Sequence, residues 1–222
     1  MTHPARDGAK RALDVLLAAL GLALLAPLLA FIALRVRRDA PGPVFFRQER
    51  VGRGGRLFRI HKFRTMHIAN GGPQITAAGD ARITASGQWL RRGKLDELPQ
   101  LIDVLRGDMS LVGPCPEVPR YMALYPDDVR RAVLSVRPGM TDRAAIEFRD
   151  EERLLAAARA RGEDPERVYV RDVLPVKQRY YLDYVRRHNM AGDLRIIART
   201  LLALLGARAP QSPGQGGEGR TC

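Results

Sequence analysis

The chain has 222 residues, of which 45% are hydrophobic, and its net charge is +13. This length suffices for one domain with a sizeable core, and the hydrophobic share excludes an intrinsically disordered chain. The excess of positive charge indicates a polyanionic partner: nucleic acid, an anionic membrane surface or a phosphorylated substrate. The cysteines, Cys115 and Cys222, are too few for a disulfide framework and favour a reducing compartment.

The first predicted element is an apolar segment over residues 15–34, with the sequence VLLAALGLALLAPLLAFIAL and no charged residue. Its twenty residues are enough for a helix that spans the hydrocarbon core of a bilayer. A cleavable signal peptide is less favoured, because the apolar run is longer than a usual signal core and is followed by charged residues instead of a small-residue cleavage site. An ordinary single-pass anchor is the stronger alternative.

Basic residues flank this segment on both sides, with Lys10 and Arg11 before it and Arg35, Arg37 and Arg38 after it. Because positive residues favour the cytoplasmic side, a full crossing would place one of the two groups on the opposite side. Pro27, within the segment, removes a backbone donor and kinks a helix. A helix broken at Ala26-Pro27 could enter the membrane and leave on the side that it entered. The segment alone leaves a re-entrant and a spanning helix equally open.

Short strands and several helices are predicted for the remaining chain. Residues 44–66 hold two apolar-aromatic runs around Gly52-Arg-Gly-Gly55, which predict a β-hairpin or two extended segments, and residues 69–80 are predicted as a loop. A turn is predicted at Arg137-Pro-Gly139. Helices are predicted over residues 83–92, 96–105 with Asp96 as N-cap, 119–134 with a break at Pro126, 151–161, 176–188 and 192–206.

The last predicted helix, 192–206, is amphipathic, because Leu194, Ile197, Leu201 and Leu204 share one face. Such a basic amphipathic helix can lie in a membrane interface, and an ordinary core-packing helix fits the pattern equally well. The predicted fold class is α with minor β (α+β). It comprises a flexible N-terminus over residues 1–9, a re-entrant membrane helix over 10–38, a catalytic domain with interfacial helices over 39–206 and a disordered tail over 207–222.

Two adjacent acids, Asp96 and Glu97 in the sequence KLDELPQL, are the residues that suggest chemistry. Carboxylates are common at helix starts, where free backbone N–H groups stabilise them, so a structural role is one explanation. The other explanation rests on the nearby cations Lys62, Arg64, Arg91, Arg92 and Arg137. Two acids among cations suit a reaction at phosphate, in which Mg²⁺ binds carboxylate and phosphate oxygens and an aspartate attacks phosphorus.

Other common chemistries lack their sequence signatures. The histidines do not have the spacing of a metal site, and no P-loop or dinucleotide-binding fingerprint is present. Nucleic-acid binding is suggested only by the charge, since no recognised binding motif is present and aromatic residues make up only 6% of the chain. No nucleic-acid partner is therefore expected.

Six pieces of the sequence resemble the bacterial sugar transferases, the small monotopic phosphoglycosyl transferases. In chain order they are KRALD, PGPVFFRQERVG, FRIHKFRTM, LDELPQL, LRGDMSLVGP and VRPGMTD. The resemblance extends from about Lys10 to about Gly206, which is nearly the whole chain. One such piece would be weak evidence, whereas six in order are specific.

The resemblance implies an enzyme with a re-entrant helix at the cytoplasmic face of the bacterial inner membrane. It implies that Asp96 attacks the β-phosphorus of a UDP-sugar, that UMP leaves, and that a polyprenyl phosphate, typically undecaprenyl phosphate, then takes the phosphosugar. It further implies that Glu97 is a ligand of Mg²⁺. The candidate substrate-binding residues are Lys62, Arg64, Arg91 and Arg137. The product would be the first lipid-linked intermediate of a polysaccharide or glycoconjugate, and anionic membrane lipids are expected partners.

Two departures from the family pattern are visible. The family often has Ser-Pro at the membrane break, where this chain has Ala26-Pro27. The family usually has Gly-Pro-Arg-Pro, and here Cys115 takes the place of that arginine. A thiol is a short and weak donor, so the missing charge either comes from elsewhere, with Arg120 and Arg137 as the residues that could reach the same phosphate, or is absent. The alternative function is a catalytically impaired, membrane-anchored interaction protein of the same family.

Overall fold

The structure is a computed structural model that describes residues 4–67, 80–148 and 151–204, with side chains from Asp7 onward. The predicted tail, 207–222, and nearly all of the predicted loop lie outside these residues. The helices are α1 (Pro4–Asp39), α2 (Ala85–Arg92), α3 (Gln100–Arg106), α4 (Pro119–Met122), α5 (Asp127–Val133), α6 (Arg143–Glu147), α7 (Glu151–Ala160), α8 (Pro165–Val168), α9 (Leu174–Arg187) and α10 (Met190–Leu204). The strands are β1 (Phe45–Phe46), β2 (Glu49–Val51), β3 (Leu57–Arg59), β4 (Lys62–Phe63), β5 (Ser110–Val112) and β6 (Gly139–Thr141). This mostly helical content with short strands confirms the predicted class.

Helix α1 is longer than the sequence predicts. It begins at Pro4, within the segment 1–9 predicted to be flexible, and ends at Asp39. The helix continues through Pro27, where the sequence predicts a break. Residues 7–39 are long and apolar enough to cross a membrane, by length and composition alone. The re-entrant course therefore stays a prediction.

One face of α1 packs along the rest of the protein. Its buried residues Ala18, Ile32 and Val36 lie on this face. They pack against two clusters, which contain Phe58, Ile60, Leu101, Val104 and Met109 and, farther along, Phe63 and Leu90. The large apolar side chains that α1 exposes are Val15, Leu16, Leu20, Leu24, Phe31 and Leu34. Exposed apolar surface of this extent is typical of contact with lipid.

The predicted hairpin in residues 44–66 is confirmed. Strand β2 pairs antiparallel with β3, and β1 pairs antiparallel with β4 outside them. The turn between the inner strands contains Gly54 and Gly55, whose φ angles of 68° and 82° favour glycine. The outer strand β4 ends the hairpin with Lys62 and with Phe63, which is 1% exposed. The hairpin therefore fixes Lys62 next to a buried anchor.

Strands β5 and β6 form a parallel pair that the sequence did not predict. They join the LRGDMSLVGP and VRPGMTD pieces, with Ser110 opposite Gly139 and Val112 opposite Thr141. The two backbones cross closely, since a Cβ atom on Gly139 would lie 2.1 Å from the nitrogen of Gly113. Only glycine fits such an approach. The turn predicted at Arg137-Pro-Gly139 thus leads directly into a strand.

Most helix boundaries follow the sequence, with one correction. Helix α2 begins at Ala85, two residues later than predicted, and the helices α4 and α5 are separated around Pro126 as predicted. Asp96 is not the N-cap of α3, because it lies in a separate 3₁₀ turn, Leu95–Glu97, and Pro99 is the N-cap. The acids therefore occupy a turn of their own before the helix.

Helix α10 exposes the apolar face that the sequence predicts. Leu194, Leu201 and Leu204 are 46%, 56% and 37% exposed. Ile196 and Ala203, which lie off that face, are buried. Ile197, the fourth residue of the predicted face, packs against the core cluster of Val112, Tyr184 and Ile196, so contact with a membrane interface stays a prediction.

Candidate active site

Lys62 forms ion pairs with both adjacent acids, Asp96 and Glu97. Its ammonium lies 2.9 Å from Asp96 Oδ2 and 3.0 Å from Glu97 Oε1. Lys62 comes from β4 at the end of the hairpin, whereas both acids come from the 3₁₀ turn before α3. The fold thus brings three of the predicted site residues into direct contact.

A left-handed residue precedes the acids. Lys94 has a φ angle of 53°, which is unusual for a residue with a side chain. This conformation costs about 1–2 kcal/mol, and such residues cluster at functional sites. Lys94 lies where the chain leaves α2 and enters the 3₁₀ turn, so it sets the direction in which Asp96 and Glu97 meet β4.

The contacts of Lys62 keep it and Glu97 charged. Burial alone would lower the pKa of Lys62, but the charges of Glu97 and Asp96 outweigh burial and raise it. Burial alone would raise the pKa of Glu97, but the charges of Lys62 and Lys94 lower it to about 2. At neutral pH the pair is therefore an ammonium and a carboxylate.

The two acids differ in exposure. Asp96 is 2% exposed, whereas the side chain of Glu97 is 36% exposed. Asp96 Oδ1 is buried and accepts no hydrogen bond. Because an unpaired buried carboxylate oxygen is costly, it marks a position that a ligand or an ion can complete. Because the oxygen is buried, neighbouring atoms must move before it can meet a ligand.

A buried pair holds the Lys62 strand against α3. Asp103 Oδ2 accepts a hydrogen bond from the backbone nitrogen of His61 at 2.7 Å, and Asp103 Oδ1 lies 2.5 Å from Nδ1 of the same residue. His61 directly precedes Lys62, and Asp103 belongs to the helix that follows the acid turn. The pair therefore helps to fix the distance between the cation and the acids. Sequence reasoning missed it because no motif links the two residues.

The site opens on a cavity of about 1140 Å³. Its polar wall includes Lys62, Arg91, Glu97 and Lys177. Its apolar wall comes mainly from α1 and α10, through Leu17, Leu20, Leu24, Leu25, Ile197, Leu201 and Leu204. Sites for a single small ligand usually measure about 300–1,000 Å³, so this cavity has room for more than one substrate.

The cavity lining is positively charged. Among the described residues it contains Arg50, Lys62, Arg64, Arg82, Arg91, Lys94 and Lys177, against Glu97, Glu117, Glu151 and Glu152. Two of these cations pair with the first turn of α7: Arg91 with Glu152 at 2.6 Å and Lys177 with Glu151 at 2.5 Å. An excess of cations in a concave site attracts a polyanionic ligand such as a diphosphate.

The model of the family described as bacterial sugar transferase matches residues 5–207. The chain belongs to this family. A UDP-glucose:undecaprenyl-phosphate glucose-1-phosphate transferase of Caulobacter vibrioides is 41% identical over 90% of this chain and 70% of the relative. A protein of the same name from Xanthomonas campestris pv. campestris is 40% identical over 90% of this chain, which spans only 39% of that relative. An exopolysaccharide production protein of Rhizobium leguminosarum bv. phaseoli is 36% identical over 88% of this chain and 94% of the relative.

Arg64 of this sugar transferase lines the cavity, but its guanidinium binds the end of α1. It donates to the carbonyl oxygens of Val36, Ala40 and Pro41, at 3.4, 2.6 and 2.5 Å. Carbonyl groups at the end of a helix need such partners. These contacts give Arg64 a structural role and offer no support for the predicted binding of phosphate.

Arg137 lies away from the large cavity. It lines a separate cavity of about 30 Å³ together with Arg11 and Arg53, and its Nε donates to the carbonyl of Gly107 at 3.1 Å. Burial, Arg11 and Arg53 lower the pKa of Arg137. The structure therefore does not support the predicted contact between Arg137 and the substrate.

Arg120 does not line the large cavity either. Its side chain is 63% exposed and pairs with Glu166 at 2.7 Å. Cys115, in contrast, lines the large cavity, where neither Arg120 nor Arg137 is found. The expectation that one of these arginines replaces the charge missing from this sugar transferase is not supported.

Sequence reasoning missed the ion pair between Lys177 and Glu151 in the cavity lining. Lys177 and Glu151 lie in α9 and α7, far along the chain from the acid turn. Neither lies in one of the six family-like pieces. Their helices were predicted, but no sequence signal indicated that the two helices face the cavity.

Proposed function

We propose that this chain transfers a sugar 1-phosphate from a UDP-sugar to a polyprenyl phosphate through a covalent intermediate on Asp96. The observation that carries the proposal is the contact of one ammonium, Lys62, with two adjacent carboxylates beside a cavity that has a cationic and an apolar wall. The printed names of two relatives that each cover 90% of the chain make UDP-glucose the first donor to test.

In the first step an oxygen of Asp96 attacks the β-phosphorus of the donor. A bond forms between phosphorus and the aspartate oxygen. The bond from the β-phosphorus to the bridging oxygen breaks, and UMP leaves with its electron pair. Oδ1 of Asp96 has no hydrogen-bond partner that it must give up, but it is buried, so the attack requires a rearrangement around the Lys62 contacts.

In the second step a phosphate oxygen of the polyprenyl phosphate attacks the phosphorus of the intermediate. The bond between phosphorus and Asp96 breaks, and the aspartate leaves as a free carboxylate. The leucines of α1 and α10 offer an apolar wall to the acceptor's hydrocarbon chain, next to the cations that bind its phosphate. The large cavity thus supports both substrates of the proposed reaction.

Mg²⁺ fits the residues present. The described residues contain no group of three side chains that could hold a metal ion alone. However, Mg²⁺ is commonly bound by one or two carboxylates together with substrate phosphates. Glu97, which follows Asp96 in the chain and lines the cavity, would hold it with the donor's diphosphate. The bound ion would neutralise charge on the phosphates.

Attachment to one face of the membrane is part of the proposal. Near the start of α1, Asp14 accepts a hydrogen bond from the Ser110 hydroxyl at 2.7 Å, and near its end Asp39 accepts one from the backbone nitrogen of Ser86 at 2.9 Å. These two α1 residues lie about 37 Å apart along a helix, which exceeds the roughly 30 Å of a hydrocarbon core. A full crossing would place their partners in opposite aqueous phases, so the contacts support both ends of α1 lying on one side, which we propose to be the cytoplasmic face.

Release of UMP tests the proposed function. The purified chain is incubated with UDP-glucose, UDP-N-acetylgalactosamine or other UDP-sugars, with and without undecaprenyl phosphate. We expect repeated turnover with the acceptor and about one equivalent of UMP without it. Asp96→Asn is the control for contaminating hydrolysis. Absence of UMP with every donor, or equal release by Asp96→Asn, would exclude the proposed function.

A further inference from the structure

The polar wall continues from the acid turn past Cys115. The backbone nitrogen of Cys115 donates to Asp142 Oδ2 at 3.0 Å. Burial and the carboxylate of Asp142 raise the pKa of the Cys115 thiol well above its usual value, although Lys177 opposes them. The thiol is therefore neutral and contributes no charge to this part of the wall.

Lys177 is a cation whose charge acts on this thiol, and both residues line the large cavity. It extends from α9 into the cavity lining, and its side chain is 14% exposed. Its Nζ lies 5.1 Å from the ring centre of Tyr169. Burial alone would lower the pKa of Lys177, but Glu151 outweighs burial and raises it. The ammonium therefore stays charged although it is mostly buried.

Lysine is rare in this chain, where 37 residues are lysine or arginine. Only Lys10, Lys62, Lys94 and Lys177 are lysines, and the last three line the large cavity. The surface charge of the protein comes from arginine. A buried lysine in the cavity is thus set apart from the arginines that cover the surface.

We propose that Lys177 is a donor-binding residue, which supplies from α9 the positive charge that the family's arginine would supply at position 115. This inference rests on the proposed function. Its ligand is the diphosphate of the nucleotide sugar, since a compact ammonium binds phosphate oxygens as a point charge. Lys62 and Lys177 then contact the diphosphate from two sides of the cavity.

In the ligand-free protein, the carboxylate of Glu151 occupies the position next to Lys177 that we assign to a phosphate of the donor. It lies 2.5 Å from the Lys177 ammonium, and Glu152 forms the same kind of pair with Arg91. Binding of a diphosphate requires these cations to exchange carboxylate partners for phosphate oxygens. Glu151 therefore competes with the donor for Lys177. Removing the charge of Lys177 should weaken donor binding, whereas removing the charge of Glu151 should not.

The Michaelis constant for the donor separates donor binding from a structural role. We expect Lys177→Met to raise the KM for UDP-glucose about 10- to 100-fold, the loss of one charged hydrogen bond, with a smaller effect on kcat. Glu151→Gln should leave this KM unchanged or lower it. If the pair only fastens α7 to α9, both variants will change the KM in the same direction, and the inference is overturned.

Two further variants guard against loss of folding. Lys177→Met leaves the carboxylate of Glu151 without its cation. The double variant Lys177→Met with Glu151→Gln avoids this unpaired charge. Its comparison with Glu151→Gln alone measures the contribution of Lys177 to donor binding. Arg187→Met is the matched control, because it removes the same charge from the same helix. The side chain of Arg187 is 82% exposed and pairs with Asp183. We expect a raised donor KM in the double variant and a wild-type KM in the control. A wild-type KM in the double variant overturns the inference.

Restoring the family's arginine gives the sharpest outcome. We expect Cys115→Arg to return the donor KM of Lys177→Met most of the way to the wild-type value, because both positions line the same cavity. Failure of this rescue, with both single variants active, contradicts the shared role. If the wild type releases no UMP from any donor, the proposed function itself fails. If the wild type turns over and the Lys177 variants have the wild-type donor KM, this inference alone is wrong.

Discussion

Two lysines of this protein each lie between two carboxylates, but in different surroundings. Lys62 contacts Asp96 and Glu97 at 2.9 and 3.0 Å. Lys10 contacts Asp193 at 2.7 Å and lies 3.9 Å from Asp14. The Lys62 group lies beside a cavity of about 1140 Å³, whereas the Lys10 group lies beside one of about 30 Å³.

The comparison shows that the surroundings, not the charged groups alone, decide what such a cluster can do. The Lys10 group connects α1 to α10 and, through Asp14 and Ser110, to β5. It has no room for a substrate and fastens the membrane helix to the body. Each group contains a buried carboxylate oxygen without a hydrogen-bond partner, Oδ1 of Asp96 in one and Oδ1 of Asp193 in the other. Only the Lys62 group has members, Lys62 and Glu97, that line a cavity with room for a substrate, so the same residue types can support chemistry there.

The nucleophile gives the largest expected effect. Asp96→Asn should reduce kcat by about a millionfold, as the loss of a nucleophile does in a measured protease, because an amide does not attack phosphorus. The melting temperature should fall less than in Asp193→Asn, because Lys62 keeps Glu97 at 3.0 Å whereas Lys10 keeps only Asp14 at 3.9 Å. Asp193→Asn, the matching change in the Lys10 group, should retain kcat. UMP release and thermal unfolding measured on both variants check the contrast, and comparable activity in the two would contradict it.

Glu97→Gln should lower kcat/KM by about a hundredfold, because several kcal/mol of charge stabilisation by Mg²⁺ depend on this ligand. The remaining activity should respond less to Mg²⁺ than that of the wild type. Titration of activity with Mg²⁺ measures this, with Glu147→Gln on the exposed surface of α6 as the control. Full wild-type activity in excess EDTA would exclude the proposed role of the metal.

The Lys10 group should contribute stability. Asp193→Asn leaves the ammonium of Lys10 without its shorter contact, at a cost of about 1–3 kcal/mol. The expected result is a melting temperature lower by several degrees. Thermal unfolding in one detergent, with exposed Asp127→Asn as a control, checks this. An unchanged melting temperature would mean that the group does not fasten α1.

Both ends of α1 should lie on one side of the membrane. Single cysteines replace the exposed residues Ala9 and Arg38 in a variant without Cys115 and Cys222. In intact cells neither position should react with a membrane-impermeant thiol reagent, and both should react after permeabilisation. Labelling of one position and protection of the other in intact cells would instead show a spanning helix.

The pH dependence of stability should reveal the charge of Glu97. Its pKa is about 2 in the folded protein, below the ordinary value of about 4.3. The unfolded chain therefore binds more protons between these values, and Glu97 contributes stability above about pH 4.3 that is lost as the pH falls toward 2. Glu97→Gln should flatten the fall of the melting temperature over this range. An identical fall in both proteins would contradict the lowered pKa.

Much of the fold follows from local sequence signals. The hairpin around Gly52, the break at Pro126 and the amphipathic face of α10 depend on neighbouring residues, and the structure confirms them. The β5–β6 pair was missed because three residues in each strand give no periodicity. Two glycines, Gly113 and Gly139, make that pair possible, but glycine is equally common in turns.

The predicted site residues fall into two groups, those that lie in contact and those that bind elsewhere. Asp96, Glu97 and Lys62 meet as the resemblance implies. Arg64 and Arg137 carry the right charge, but each donates to backbone carbonyl groups. Sequence gives the charge of an arginine but not its partner, which depends on the packing of α1 and α3.

The covalent intermediate on Asp96 is the central claim, and intact-protein mass spectrometry tests it most directly. Wild-type protein incubated with UDP-glucose and Mg²⁺, without an acceptor, should gain the mass of one glucose phosphate, and peptide mapping should place it on Asp96. Addition of undecaprenyl phosphate should remove the adduct, and Asp96→Asn should never form it. Rapid turnover by the wild type without any adduct, or an adduct on another residue, would contradict the mechanism.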